Sequence, residues 1–177
     1  MEIDFNFSGN ISSINKDQFD LMINENDSPF INYDFLRALE ESSSVSEISG
    51  WKPNHLVSIE DKKLNGFMPL YLKDNSQGEF VFDHSWSYAL NRAGRKYYPK
   101  LLTAIPFTPC KTRKIISSKS NNFIDAVINF MEEKSIETWH VLFPEKEESK
   151  NLLEKGLIER SGPVSYTHLR AHETSID

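Results

Sequence analysis

One stretch of the sequence concentrates side chains whose types and spacing could do chemistry. It runs from residue 78 to residue 110 and reads GEFVFDHSWSYALNRAGRKYYPKLLTAIPFTPC. Asp83 and His84 follow an apolar run directly, and Tyr97 and Tyr98 are adjacent further on. Loops rich in aromatic and titratable side chains are where catalytic and binding sites usually lie. We therefore expect a candidate cleft within this stretch.

Asp83 and His84 have the residue types of a catalytic pair. A histidine whose ring is held by a carboxylate titrates near neutral pH and can act as a general base. A structural interpretation competes with this one: Asp83 would cap the helix that follows, and His84 would be a half-buried residue at its start. The sequence alone leaves both open.

Tyr97 and Tyr98 are the second pair of catalytic candidates. A phenol can donate a proton to a leaving group or line the pocket of an acceptor. Tyrosine is also common at the edge of a packed layer, where its ring is buried and its hydroxyl stays wet. The two tyrosines are therefore candidates with a structural alternative.

Substrate contacts are predicted from the same stretch. Arg92, Arg95 and Lys96 surround Gly94 and could meet a phosphate, although cations near the end of a helix are favourable without any ligand. Cys110 has no neighbouring Cys or His and is interpreted as a small buried hydrophobe rather than a nucleophile. The predicted substrate-binding residues are Trp86, Arg92, Arg95, Lys100 and Thr108.

The end of the chain carries a histidine pair with the spacing of a metal site. His168 and His172 are four residues apart, which would place both rings on one face of a helix. The surrounding VSYTHLRAHET matches the translation of a transposase-tagmentation sequencing adapter. We therefore expect residues 164–177 to be a non-native tail, and the natural sequence to be cut near Gly162.

Without that tail, no metal site is predicted. The remaining histidines, His55, His84 and His140, lie in separate segments without ligand spacing. Motifs for dinucleotides, for P-loop phosphates and for serine hydrolases are absent from the sequence as well. These classes of site are not expected.

The composition favours a globular protein and disfavours duplex DNA as a partner. The chain has 177 residues, 38% of them hydrophobic, with a net charge of −6 and no dense basic stripe. A single cysteine excludes an intrachain disulfide and fits a reducing compartment. The first residues lack a signal-peptide pattern, and no apolar run is long enough to span a bilayer. We predict a cytoplasmic protein without a membrane span.

The pattern of apolar residues predicts a mixed α/β fold whose sheet is largely antiparallel and flanked by helices. The elements expected in chain order are a strand at 3–7, helices at 13–24 and from Asn32, strands at 55–60, 64–72 and 79–82, a helix at 85–94, a strand at 101–105, a helix from Asn121 or Asn122, a strand at 138–143, a helix at 145–155 and a strand from Leu157.

Several separate segments resemble one protein family. SPFINYDFLRALEESSSV, GWKPNHLVSIEDKKLNGFMPLYLK, GEFVFDHSW, RAGRKYYPKLLTAIPFTP and WHVLFP, in this order, resemble the N-terminal half of the FemAB-like, peptidoglycan-biosynthesis branch of the GNAT N-acyltransferases. The resemblance runs from about Ser28 to Gly156. That family is a tandem of two GNAT-like domains. The resemblance implies that residues 1–163 are one such domain, incomplete at its C-terminal end, with its second domain missing.

The resemblance also implies the transfer of an acyl or aminoacyl group to an amine, such as that of a peptidoglycan precursor. The [QR]-x-x-G-x-[GA] loop of acetyl-CoA-binding GNATs is absent, so acyl-CoA and aminoacyl-tRNA both stay open as co-substrates, with no tightly bound cofactor. In such a reaction Asp83 or His84 could be the base and Tyr97 or Tyr98 the acid. A non-catalytic half that shapes the acceptor cleft or an interface is the alternative. The truncated chain is expected to be inactive.

Overall fold

The structure is a computed structural model that describes residues 3–81 and 83–161. Its strands are β1 (Asp4–Ser8), β2 (Trp51–Pro53), β3 (His55–Glu60), β4 (Lys63–Met68), β5 (Tyr71–Lys73), β6 (Lys100–Thr103) and β7 (Trp139–Val141). Its α-helices are α1 (Lys16–Asp20), α2 (Tyr33–Glu41), α3 (His84–Arg92), α4 (Ser120–Lys134) and α5 (Lys146–Glu154). The predicted adapter-derived tail, with His168 and His172, lies outside the described residues.

The strands form two sheets that share one long hairpin. One sheet has the order β1-β3-β4 and is antiparallel; the other has the order β2-β5-β6-β7 and is antiparallel except for the parallel pair β6 and β7. The ladder is interrupted at Asn54 on one strand and at Pro69 and Leu70 on the other, and Pro69 has no N–H to donate. Asn54 N still donates to Leu70 O at 2.8 Å across the interruption. The predicted mixed α/β class is confirmed.

The hairpin turn has the backbone geometry that tight antiparallel turns prefer. Asp61 and Lys62 have φ angles of 49° and 64°, which both fall in the left-handed region. Two consecutive residues of this kind make the turn whose twist matches that of the strands on either side. The hairpin predicted from the polar DKK stretch is therefore confirmed.

Two predicted strands are wrong. Glu79 and Val81 lie in the loop that leads into α3, and the third strand of the hairpin region is β5, which the sequence pattern had merged with β4. The Glu79 side chain is buried with the charged groups of the sheet instead of alternating along a strand. No strand begins at Leu157 within the described part of the chain, which continues to Ser161 without regular structure.

The first helix begins later than the sequence pattern indicates, whereas α2 begins directly after Asn32, as predicted. Ser13 ends a short 3-10 helix, and it is Asn15 that caps α1, accepting a hydrogen bond from Gln18 N at 2.9 Å. The longest helix, α4, begins at Ser120 and ends at Lys134. No helix among residues 3–81 and 83–161 is long and apolar enough to cross a membrane.

The apolar core lies on both sides of the sheets. Phe19 and Leu36 pack against Phe67 beneath the first helices, and Phe123 and Val127 of α4 pack against the strands on the other side. A third cluster around Trp51 and Tyr71 lies under the second sheet. Each fully buried side chain of this size contributes about 1.5–3 kcal/mol to folding.

A buried lysine joins the segments that follow β6 and β7. The Lys114 ammonium donates to Thr112 O at 2.7 Å, to Phe143 O at 3.0 Å and to Cys110 O at 3.5 Å. The Glu148 carboxylate of α5 accepts the backbone N–H of Lys114 at 2.8 Å. Because the Lys114 ammonium and Glu148 Oε1 both find partners within the protein, the junction fixes α5 to the sheet.

Candidate functional site

A cluster of eight polar and charged side chains lies where β5, β6 and β7 meet the loop before α3. We call it the lysine cluster. Lys73 ends β5 and Lys100 begins β6, and the two are register partners across the ladder. Parallel pairing of β6 with β7 brings His140 opposite Leu102. The members of the lysine cluster are Lys73, Ser76, Glu79, Asp83, Tyr97, Tyr98, Lys100 and His140.

Lys100 is the centre of the cluster. Its ammonium donates to Asp83 Oδ2 at 2.6 Å, to Glu79 Oε2 at 2.8 Å and to Ser76 Oγ at 2.8 Å. Its side chain is fully buried. A buried charge is tolerated only when it is paired and hydrogen-bonded, which is the arrangement here. Lys100 therefore organises its neighbours and is not itself open to solvent.

Lys73 supplies a second buried positive charge. Its ammonium donates to Gln77 O at 3.0 Å and lies 3.9 Å from Glu79 Oε1 and 3.9 Å from the centre of the Trp51 ring. Burial lowers the pKa of Lys73 to about 8, although Glu79 opposes the shift. Burial also raises the pKa of Glu79, against the pull of Lys100. Two lysines therefore face two carboxylates.

Asp83 is held by three donors on one oxygen. Besides Lys100, Tyr97 donates its hydroxyl hydrogen to Asp83 Oδ2 at 2.6 Å, and Ser76 donates at 2.7 Å. Burial by itself would raise the pKa of the carboxyl group, but these hydrogen bonds lower it to about 2. The oxygen that faces the rest of the cluster therefore already accepts three hydrogen bonds. Asp83 is suited to orienting the groups that bond to it.

Three half-buried side chains form the outer edge of the cluster: Ser76, Tyr98 and His140. The Tyr98 hydroxyl lies 2.7 Å from Ser76 Oγ. Since the single Ser76 hydrogen is donated to Asp83, the Tyr98 hydroxyl must be the donor in this contact. No other residue in the described part of the chain donates to the Tyr98 oxygen, so its remaining lone pair can accept a hydrogen bond.

His140 lies at the other end of the edge. Its Nε2 atom is 3.3 Å from the Tyr97 hydroxyl oxygen. Burial and, after it, the charge of Lys100 lower the pKa of His140 to about 4, although Asp83 opposes the shift. Burial and the bond to Asp83 raise the pKa of Tyr97 well above its ordinary value. At neutral pH both side chains are therefore uncharged.

Four of the nine predicted site residues come together in the lysine cluster: Asp83, Tyr97, Tyr98 and Lys100. His84 is exposed at the start of α3 and does not hydrogen-bond to Asp83 in the described part of the chain. Asp83 precedes α3 without a capping hydrogen bond from its side chain, so the structural alternative for this residue is not realised either. The catalytic roles themselves stay predictions.

Three of the other predicted substrate contacts lie on the surface in or just after α3, and Thr108 lies in the loop after β6. Trp86 is 42% exposed, and the Arg160 guanidinium lies 3.9 Å from the centre of its ring. Arg92 is exposed beside Tyr88, and Arg95 pairs with Glu137 at 2.6 Å. The Thr108 hydroxyl donates to Pro106 O. None of these four side chains hydrogen-bonds to the lysine cluster within residues 3–81 and 83–161.

Sequence reasoning missed half of the cluster: Lys73, Ser76, Glu79 and His140. Lys73 and Lys100 each adjoin an apolar strand, which is a weak signal that a lysine is buried with a partner. His140 lies 43 residues from Tyr97, and no local pattern links the two. The pairing of β6 with β7 is what brings them together.

Glu79, Asp83 and His140 also have the types and proximity of metal ligands. Their ligand atoms all lie within 4.8 Å of one another. However, the Lys100 ammonium already contacts both carboxylates, so a metal ion would have to displace it. The absence of a metal site stays a prediction.

One surface depression lies away from the lysine cluster. It has a volume of about 410 Å³ and lies between α1 and α2. Lys16 crosses the depression and forms ion pairs with Asp20 at 2.7 Å and with Asp34 at 3.0 Å, so these three charged groups are already partnered. The convergence of buried titratable groups makes the lysine cluster the better candidate.

Comparison with known proteins places the chain near one family. The model of the FemAB-like family, described as peptidoglycan biosynthesis/recognition, matches residues 10–177. A solved structure of a predicted acetyltransferase with acetyl-CoA from Clostridium acetobutylicum is similar at 14% identity, over 97% of this chain and 99% of that chain. Its TM-score of 0.48 is too low to support an argument. No curated protein sequence gives a significant match.

Proposed function

The chain belongs to the FemAB-like family, and from this premise we propose that it is one lobe of an N-acyltransferase acting on an amine in peptidoglycan biosynthesis. Membership of this family supports a general acyltransferase role. The proposed donor is an acyl-CoA or an aminoacyl-tRNA, and the proposed acceptor is the amine of a cell-wall precursor.

A site that transfers an acyl group to an amine must meet three requirements. The amine must be held near the acyl carbon as a neutral nucleophile, its proton must be removed, and the leaving group must be protonated. The lysine cluster supports the first requirement at its outer edge. Tyr98 donates inward to Ser76, so its oxygen can accept a hydrogen bond from an incoming N–H.

The single observation that carries this proposal is the contrast between the edge and the interior of the cluster. Ser76, Tyr98 and His140 are half-buried, whereas Lys100 and Asp83 beneath them are buried and charge-paired. The buried ion pair holds the polar groups of the edge in fixed positions, at a surface that a substrate can reach. We assign Lys100 and Asp83 to positioning, and Tyr98 to contact with the acceptor.

The test is an acyl-transfer assay with the protein encoded by the complete gene. Acyl-CoA and aminoacyl-tRNA are supplied as donors and amines of peptidoglycan precursors as acceptors. We expect Tyr98→Phe to raise KM for the amine about 5- to 10-fold, which corresponds to the loss of one hydrogen bond. Tyr88→Phe, at an exposed tyrosine of α3, is the matched control and should change nothing. Absence of transfer with every donor would contradict the proposal.

A non-catalytic lobe is the second candidate, and one observation favours it. Asp83 and Glu79 are committed to Lys100, an arrangement that also serves simply to fix a loop to a sheet. Donor binding separates the two candidates. A lobe that binds the donor with micromolar affinity should gain several degrees in Tm at saturating acyl-CoA or aminoacyl-tRNA. No gain with either donor would support the non-catalytic candidate.

The domain organisation is part of the proposal. We propose that residues 1–163 are a single GNAT-like domain, that a second such domain belongs to the same natural chain, and that residues 164–177 are adapter-derived. The genomic sequence past the codon for Gly162 tests all three points. Residues 1–163 alone should not turn over substrate, and turnover by that fragment would contradict the need for a second domain.

A further inference from the structure

We infer that His140 is the catalytic proton acceptor for the amine, and that Tyr97 and Asp83 hold its imidazole in the required tautomer. This inference rests on the proposed acyl transfer. It adds a residue that the sequence does not single out and gives it a defined atom, Nδ1, and a defined step.

The hydrogen bonds of Tyr97 fix the tautomer of His140. Tyr97 has one hydroxyl hydrogen, and it is donated to Asp83 Oδ2 at 2.6 Å. The 3.3 Å contact between the Tyr97 oxygen and His140 Nε2 therefore needs its hydrogen from the histidine. In the neutral ring a hydrogen on Nε2 leaves Nδ1 as the acceptor.

The ring is also held in place mechanically. The His140 and Tyr97 rings meet edge to face, with centroids 5.7 Å apart at an angle of 66°. The backbone of His140 is fixed by the pairing of β7 with β6. Its Nδ1 atom has no hydrogen-bond partner among residues 3–81 and 83–161, and the side chain is half-buried. Nδ1 is therefore an oriented acceptor at the edge of the lysine cluster.

In the proposed step, His140 passes a proton from the amine to the leaving group. The neutral amine nitrogen attacks the acyl carbonyl carbon, which forms the C–N bond, a positively charged nitrogen and an oxyanion. His140 Nδ1 takes one proton from that nitrogen. The oxyanion then collapses and breaks the bond from the acyl carbon to the sulfur or oxygen of the donor. The departing thiolate or alkoxide takes the proton from Nδ1, which regenerates the neutral ring.

The surrounding charges support a brief rather than a lasting protonation. The imidazolium would donate from Nε2 to Tyr97, whose hydroxyl is bonded to the Asp83 carboxylate, and this favours the positive ring. Burial disfavours the positive ring, and so does the charge of Lys100, so that the pKa of His140 falls to about 4. His140 is therefore unprotonated and able to accept a proton throughout the neutral range.

The catalytic part is tested by kinetics on the protein from the complete gene. His140→Gln should lower kcat/KM for acyl transfer about 100- to 10,000-fold, the usual effect of a lost general base. His140→Ala should recover part of its activity with added imidazole, whereas Tyr88→Phe should match the wild type. Undiminished transfer by His140→Gln, with transfer by the wild type intact, would overturn the inference and leave the proposed function standing.

The positioning part is tested without turnover. ¹⁵N-histidine NMR of the wild-type protein should show His140 as the Nε2–H tautomer, and Tyr97→Phe should shift the population towards Nδ1–H. A purely structural Tyr97 would not move this signal. An Nδ1–H tautomer in the wild type would overturn the inference, even if His140→Gln fails to fold. Lack of transfer by the wild type with every donor would instead defeat the proposed function, and the catalytic role with it.

Discussion

The ammonium of Lys100 lies 2.6 Å from Asp83 Oδ2, and both side chains are buried. The two residues are 17 apart in sequence, at the start of β6 and just before α3. A buried ion pair adds little net stability when it is intact, but it is costly to break because the remaining charge stays out of water. The pair therefore fixes the loop before α3 to the sheet.

Replacing the cation of this pair should strongly destabilise the fold. We expect Lys100→Met to lower the free energy of unfolding by about 3–5 kcal/mol, since Asp83 loses its paired cation and Glu79 keeps only the more distant Lys73. Urea unfolding measures the change. The matched control Lys134→Met, at an exposed lysine, should stay within about 0.5 kcal/mol. Adding Asp83→Asn to Lys100→Met should cost less than the sum of the single changes, and strict additivity would contradict the pairing.

Asp83 should make stability depend on pH in the acid range. Its pKa is about 2 in the folded protein against an ordinary value of 3.8, so the unfolded chain binds more protons between these values. The stabilisation is complete above about pH 4 and is lost as the pH falls through 2. We expect Asp83→Asn to flatten the rise in unfolding free energy between pH 2 and 4. Asp17→Asn, at an exposed aspartate, should leave the slope unchanged.

Lys114 should make stability depend on pH in the alkaline range. Burial lowers its pKa from 10.5 to about 8, although Glu148 opposes the shift. Between these values the unfolded chain binds more protons, so the cost of the buried charge disappears as the pH rises. Between pH 8 and 10 the free energy of unfolding should therefore rise by a smaller amount in Lys114→Met than in the wild type. An unchanged gain in Lys114→Met, equal to that of the exposed control Lys111→Met, would refute this.

Two glycines should respond differently to the same substitution. Gly78 has a φ of +76°, and a Cβ there would lie 2.5 Å from the Phe107 ring. Gly94 has a φ of +72°, but a Cβ there would meet nothing within 4 Å. Gly94→Ala should therefore cost about 1–2 kcal/mol from the backbone alone, and Gly78→Ala about 1–3 kcal/mol more from the clash. Equal losses in urea unfolding would argue against the contact with Phe107.

Periodic patterns predicted most of the fold because they report which face of an element is buried. The hairpin around the DKK turn and the amphipathic helix α4 follow from local sequence alone. The strand expected at 79–82 failed because the Glu79 carboxylate is drawn to Lys100, a contact between distant residues. Tertiary contacts of this kind override local preference.

The candidate site was predictable only where its members are close in sequence. Asp83, Tyr97 and Lys100 lie in one stretch, where the types of Asp83 and Tyr97 suggested proton transfer and Lys100 was predicted as a substrate contact. His140 is on another strand, and its neighbours in sequence give no sign of a role. Its contact with Tyr97 depends on strand order, which local patterns in a single sequence do not reveal.

The Lys114 ammonium, which joins the segments that follow β6 and β7, lies among backbone carbonyl oxygens as a bound monovalent cation would. Because this cation is covalently attached through the Lys114 side chain, dialysis and chelators cannot remove it. Buried charges are also screened far less by dissolved salt than exposed ones. The geometry of these strand ends should therefore be the same in dilute buffer and in concentrated salt.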